Sequence, residues 1–361
     1  MSSTPDLSSR DLPPLTYTTF QALPPEARAS AARSSAGSAP LAERLRIVVM
    51  LGRPRTCIPG VICYALGYTL VSDRITWYPL FGMFMVVIAG LLANLYNTCS
   101  DLQEDSHNLP GRVWLVTTIG YRWLIGVTLL LSAVVIGGAA AYGGSYVLLA
   151  IAVLAGVHQY SFRPLRLKAR PVADLLTFSL AVFGPLLLGY YGALRNVTLP
   201  SRAAWLWTGF LILWFCAKGL TKNIPDYRGD RAAKLRTTVT MFPTQRGAAI
   251  AGAVMTFLAY ASLPALVAAG AAPLRMLAAL PWTIVALANS LSMIAKASDQ
   301  REANRVLKRD MWLSVGFMVT VLLLSSPSWL SLVAVAFGAL ILISSDAFAV
   351  DSRRASDVRG S

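Results

Sequence analysis

The sequence predicts an all-α integral membrane protein, a bundle of nine to ten transmembrane helices, and three observations carry that prediction. The chain has 361 residues and is 55% hydrophobic but only 14% charged, against roughly 25% charged in an ordinary soluble domain. Its apolar residues gather into runs of the length that crosses a hydrocarbon core, roughly 17–25 helical residues. Its 32 Lys and Arg cluster in alternate connections, the pattern expected of a chain threaded back and forth through a bilayer.

In chain order the runs fall at 55–73, 77–99, 123–142, 144–161, 174–194, 204–221, 246–269 and 277–296, with two shorter ones at 311–326 and 329–347. They are too long and too evenly apolar for barrel strands, which have about ten residues of alternating character. Helices satisfy their own backbone groups inside lipid, so a helical bundle follows. One helix over 311–347 would be about 55 Å long at 1.5 Å per residue, and Pro327 is expected to break it. These last two runs make the difference between nine and ten spans.

Seven basic residues precede or open the first span, and the connections 101–122, 162–172, 222–246 and 296–310 hold two, four, six and five. The net charge of +15 therefore reads as membrane topology rather than as a nucleic-acid surface. The basic side is expected to face the cytoplasm, in a bacterial cell membrane. Residues 1–40 are rich in Ser, Pro and Ala without apolar periodicity and are expected to be disordered. The membrane domain then covers 41–350, with a short tail at 351–361. Cys57, Cys63, Cys99 and Cys216 form no close pair, which argues against a disulfide framework or a zinc site.

In a chain with only 17 Asp and Glu, carboxylates beside lipid are costly and point to function. Asn97, Asp101 and Asp105 end the second run at spacing i, i+4, i+8, which places them on one stripe of a helix. Asp226 and Asp230 repeat the four-residue spacing after the sixth run, where Pro225 and Gly229 are expected to bend the chain. Mg²⁺ takes oxygen ligands, commonly one or two carboxylates with water and substrate phosphate. Facing carboxylate stripes meet that need, and a cation bridged to a diphosphate stabilises the charge that grows as a carbon–oxygen bond breaks. The plainer alternative is that each acid only pairs with a nearby base. Two motifs of matching spacing on one side of the membrane argue against it.

Between the motifs runs a basic loop, in which Arg166 and Lys168 share a direction if the segment is extended and can meet phosphate oxygens. Lys222 adjoins the second motif. Arg53, at the entrance to the first span, and Arg112 add cations near the same surface, while Arg163 and Arg170 read as positive-inside anchors. His107 and His158 read as interfacial polar residues rather than general bases.

These residues resemble the UbiA superfamily of intramembrane prenyltransferases, which combine N-x-x-x-D-x-x-x-D with a later D-x-x-x-D. The likeness extends to Arg53-Pro-x-Thr56, to Tyr160-Ser161 with Arg166-Leu-Lys168, and to Lys222-x-Ile-Pro225-Asp226-x-x-Gly229-Asp230. It implies nine helices around a central cavity with a lateral opening to lipid. It further implies two Mg²⁺ ions held by Asn97, Asp101, Asp105, Asp226 and Asp230, with a prenyl diphosphate contacted by Arg166, Lys168 and Lys222. Tyr160 and Arg53 would line the same pocket. The second motif is similar to the homogentisate prenyltransferase form, except that Asn223 stands where that form has Asp and would ligate through its amide oxygen.

The expected activity is transfer of a prenyl group to a small-molecule acceptor, most simply an aromatic one. Two other readings use the same residues: a membrane terpene cyclase that needs no acceptor, and a carrier for anionic lipids.

Overall fold

The structure is a computed structural model and describes residues 16–232 and 235–348. Residues 1–15 of the expected tail at 1–40, and the expected tail at 351–361, lie outside the described residues. Among those described, every regular element is a helix, and eight helices are long and apolar enough to cross a membrane, or nine with one bent pair.

Residues 16–40 depart from the expected disorder. Thr16 caps α1 (Tyr17–Ala22) and α2 follows (Pro25–Ser34). Phe20, Ala29 and Ala32 are buried. The segment is too short to form a core of its own and is ordered by the surface on which it lies, which composition alone does not reveal.

The first span also differs from its expected form. It is made of α3 (Leu41–Gly52) and α4 (Ile58–Thr69), joined by a turn of 3-10 helix at Pro54–Cys57 and bent by 44°. Pro54 lacks the N–H that would continue α3, and Arg53 adopts a left-handed conformation at φ 52°. At 12 residues, α4 alone covers about 18 Å, well short of the hydrocarbon core.

The remaining spans follow the hydropathy closely. They begin with α5 (Trp77–Ser100), after which α6 (Leu102–Asn108) and α7 (Pro110–Ile119) form a hairpin outside the bundle. Next come α8 (Tyr121–Ala139), α9 (Gly144–Ser161), α10 (Ala173–Leu194) and α11 (Arg202–Asn223). A short α12 (Tyr227–Ala232) carries the second motif. The chain returns through α13 (Gln245–Ala261) continued by α14 (Leu263–Ala268), and then α15 (Pro281–Lys296). Finally α16 (Gln300–Ser325) and α17 (Trp329–Ala347) flank Pro327. α16 starts well before the predicted 311, because Asp299 caps it by accepting from the amides of Arg301 and Glu302. Its charged first turns keep it out of the eight apolar spans.

Lipid tails are as apolar as Leu, so membrane helices associate through close packing more than through hydrophobic burial. The centre of the bundle follows that rule. α4 is enclosed by α5, α10, α16 and α17, and it meets α10 backbone to backbone. A Cβ on Gly67 would lie 1.9 Å from the Leu186 carbonyl oxygen, and one on Gly189 would lie 2.0 Å from that of Tyr64.

Candidate active site

Both acidic motifs lie where a helix leaves the bundle. α5 ends at Ser100, and Asp101 sits at the junction with α6. The i→i−4 backbone bonds nevertheless continue, from Asp101 N–H to the Asn97 carbonyl at 3.0 Å and from Asp105 N–H to that of Asp101 at 2.7 Å. The stripe is kept in the backbone, but its side chains have separate partners. Asn97 Oδ1 accepts from the Ser161 hydroxyl at 3.3 Å. Asp101 pairs with Lys168. Asp105 is buried against Arg112, Nη1 to Oδ2 2.7 Å.

The loop between α9 and α10 is not extended. Arg166 is left-handed at φ 43° and opens a single 3-10 turn, Leu167–Ala169. Such conformations cost of order 1–3 kcal/mol for a non-glycine residue and concentrate at functional sites. The turn sends both cations to the same short helical segment. Arg166 pairs with Glu104, while Lys168 pairs with Asp101 and also approaches Ser100 Oγ at 3.4 Å.

The second motif folds as a turn through Pro225, with Asp226 N–H bonded to the Asn223 carbonyl at 3.2 Å and Asp230 N–H to that of Asp226 at 2.9 Å. Asn223 is the last residue of α11. Asp230 Oδ2 accepts from the Thr237 hydroxyl at 3.1 Å. Lys222 lies over the Phe178 ring, 4.8 Å from its centre.

Electrostatics tie the two motifs together. Burial and the Lys222 ammonium push Lys168 down to about 7, against a smaller opposing pull from Asp230. Burial and the Asp226 carboxylate push Asp230 up to about 6, with Thr237 and Lys222 partly opposing. Lys168, Lys222 and Asp230 are thus within electrostatic reach of one another, and Tyr160 stands within the fields of Asp174 and Asp230. Arg53 occupies the elbow between α3 and α4. That elbow is tied to α5 by Asn94, whose Nδ2 donates to the Gly52 carbonyl and the Thr56 hydroxyl, both at 2.9 Å.

Among the described residues no three His, Cys, Asp or Glu side chains converge as a ready cation site. In this arrangement Asp101 and Asp105 are satisfied by Lys168 and Arg112. The donor chemistry nevertheless fits Mg²⁺ with a diphosphate. The predicted ligands are all hard oxygens, and burial first, with repulsion from Asp226 second, holds Asp230 protonated to unusually high pH, both of which a divalent cation would offset.

Three participants were not anticipated. Glu104 sits one residue before Asp105. Asp174 opens α10 and accepts from Thr238 N–H at 3.1 Å and from the Thr238 hydroxyl. Lys218, one turn before Lys222, is buried with Asp310 at 2.9 Å. An acid or a lysine inside an apolar run was the available signal for the last two.

A membrane helical bundle with two acidic helix ends and the half-buried Lys168 and Lys222 beside them has the charges of an intramembrane site for a phosphate-bearing ligand. Residues 56–315 match the model of the UbiA prenyltransferase family. The chain belongs to that family, and its activity is prenyl transfer. It is 29% identical over 293 residues to the lycopene elongase/hydratase of Corynebacterium glutamicum, covering 78% of this chain and 98% of that protein. It is 27% identical over 286 residues to the digeranylgeranylglyceryl phosphate synthase of Methanopyrus kandleri, covering 77% and 100%. The fold is similar to that of a UbiA homolog from Archaeoglobus fulgidus bound to GPP and Mg²⁺, with a TM-score of 0.58 at 18% identity over 76% of this chain and 98% of that one.

Proposed function

We propose that this chain ionises a prenyl diphosphate with the help of two Mg²⁺ ions and delivers the prenyl cation to an electron-rich π system held between the helices. The observation that carries the proposal is Lys168, which pairs with Asp101 of the first motif and lies beside Lys222 and Asp230 of the second. An anion arriving there meets two lysines at the seam between two acidic clusters.

Asn97, Asp101 and Asp105 would hold one cation, and Asn223, Asp226 and Asp230 the other. Bound Mg²⁺ neutralises charge on the departing diphosphate. Lys168 and Lys222 bind and orient its oxygens through charge-assisted hydrogen bonds, and Arg166 turns from Glu104 to do the same. Tyr160 and Arg53 line the pocket. The prenyl tail lies in a central cavity with a lateral opening, within nine or ten spans, and the site faces the cytoplasm as the basic connections suggest.

The acceptor expected from sequence is an aromatic ring. The relationship to a protein named for lycopene favours a polyene, whose double bonds are also π nucleophiles. Purified protein in vesicles with Mg²⁺ and a panel of short prenyl diphosphates, with and without lycopene or aromatic acceptors, tests the choice by product mass. A lycopene adduct heavier by one prenyl unit is expected. Adducts formed only with aromatic acceptors would return the acceptor to the ring class. A cyclic product without acceptor would make the protein a cyclase, and uptake without turnover would make it a carrier.

A further inference from the structure

α6, which carries Glu104 and Asp105, has seven residues, far fewer than the roughly 12–15 that an isolated helix needs to be even marginally stable. Its position must come from packing. On one side Asp105 is tied to Arg112 of α7. On another lies the segment 16–40, outside the family match at 56–315.

That segment is fastened along its length. Phe20 is fully buried with its ring centre 5.3 Å from that of Trp114. Ala29 and Ala32, one helical turn apart, join the same apolar cluster as Leu102 of α6 and Val113 of α7. Arg28 Nη1 donates to the Ser106 carbonyl at 3.1 Å, next in sequence to Asp105, and Nη2 donates to the Gln21 carbonyl. Beyond α2, the Ser35 hydroxyl donates to the Thr117 carbonyl at 2.5 Å, and the amides of Ser38 and Ala39 donate to that of Thr118 at 3.0 and 3.2 Å.

The end of the segment crosses the α7–α8 corner at two left-handed glycines. A Cβ on Gly37 (φ +78°) would lie 2.4 Å from the Ile119 carbonyl, and one on Gly120 (φ +87°) 2.5 Å from the Ala36 carbonyl oxygen. Nothing larger than hydrogen fits either position without parting the two backbones.

We propose that residues 16–40 brace the first acidic motif, and that Arg28 is a positioning residue that holds α6, and through it Asp105, where a cation is bound. The proposal rests on the reading of Asp105 as a Mg²⁺ ligand. The brace holds α6 at the Ser106 carbonyl and Leu102 rather than at a carboxylate, so its effect falls on cation affinity more than on the chemical step.

The test is the Mg²⁺ dependence of turnover in the full-length protein at a fixed prenyl diphosphate concentration. Arg28→Ala is expected to raise the Mg²⁺ needed for half-activation roughly tenfold, the range seen when a residue supporting a metal ligand is lost, with turnover at saturating Mg²⁺ little changed. Arg28→Lys, which can keep one of the two hydrogen bonds, should fall between. Gly37→Val should give the same shift and expose residues 16–40 to protease, whereas exposed Glu43→Ala changes neither. If Asp105→Asn shifts the Mg²⁺ dependence but Arg28→Ala and Gly37→Val do not, the brace is wrong and the metal reading stands. If Asp105→Asn leaves it unmoved, both fall. Should Gly37→Val not fold, the Arg28 pair decides alone.

Discussion

Lys168 and Asp230 show how single residues set the working range of the site. Asp230 keeps its proton up to about 6 because it is buried beside Asp226, and a cation binds only the deprotonated form, so protons compete with Mg²⁺ as pH falls through that value. Lys168 loses its proton above about 7 because it is buried beside Lys222, and a neutral amine cannot hold phosphate as an ammonium does. kcat/KM for the prenyl diphosphate should therefore trace a narrow bell with limbs near these two values. Raising Mg²⁺ should move the acid limb lower, and Lys168→Arg, whose guanidinium stays protonated, should carry the alkaline limb upward. A flat profile across pH 5–8 would remove both residues from substrate binding. The carboxylates and basic residues were legible as a set, since charge is scarce in this chain. Which base meets which acid was not legible, because it depends on the left-handed turn at Arg166, for which an Arg gives no cue.

Among the elements, α11 is held from two directions. Lys222 at its end faces the site, while Lys218 one turn earlier pairs with Asp310 of α16, which also accepts from Asn289 of α15 at 3.2 Å. Both charges of the pair are almost fully enclosed, at 6% and 7% side-chain exposure. Removing one partner strands the other charge, so Lys218→Met should cost about 3–5 kcal/mol, whereas the double change Lys218→Met with Asp310→Leu should recover much of it. Thermal unfolding in detergent measures both. Equal losses in the single and double variants would contradict the pairing. Hydropathy located most spans to within a few residues because a bilayer demands apolar length. It placed the start of α16 too late, since the capping by Asp299 extends that helix into charged sequence. It also passed over α1 and α2, whose three buried residues, Phe20, Ala29 and Ala32, are too few to make a periodic signal.

Over the whole molecule, both motifs lie on the side to which the chain returns after an even number of crossings. The proposed orientation can be read directly with single cysteines in a background whose four native ones, all buried, are replaced. Residues 72 and 197 should be labelled from outside intact cells by a membrane-impermeant maleimide. Residues 165 and 300 should be labelled only after the cells are opened. The reverse pattern would turn the site outward. Family and fold were legible at this scale because paired motifs at matching helix ends constrain the chain between them. The central packing was not, because the α4–α10 approach rests on Gly67 and Gly189, and one sequence does not say which of its 26 glycines meet another backbone.

The enclosure of α4 bears on how the protein comes to be assembled. A helix of 12 residues that forms the second half of a bent span and is walled by α5, α10, α16 and α17 lacks all four walls when it leaves the ribosome. Two of its walls lie more than 200 residues further along the chain, since α4 ends at Thr69 and α16 begins at Gln300. α4 thus reaches its final surroundings only after helices made much later, α16 and α17, have closed around it.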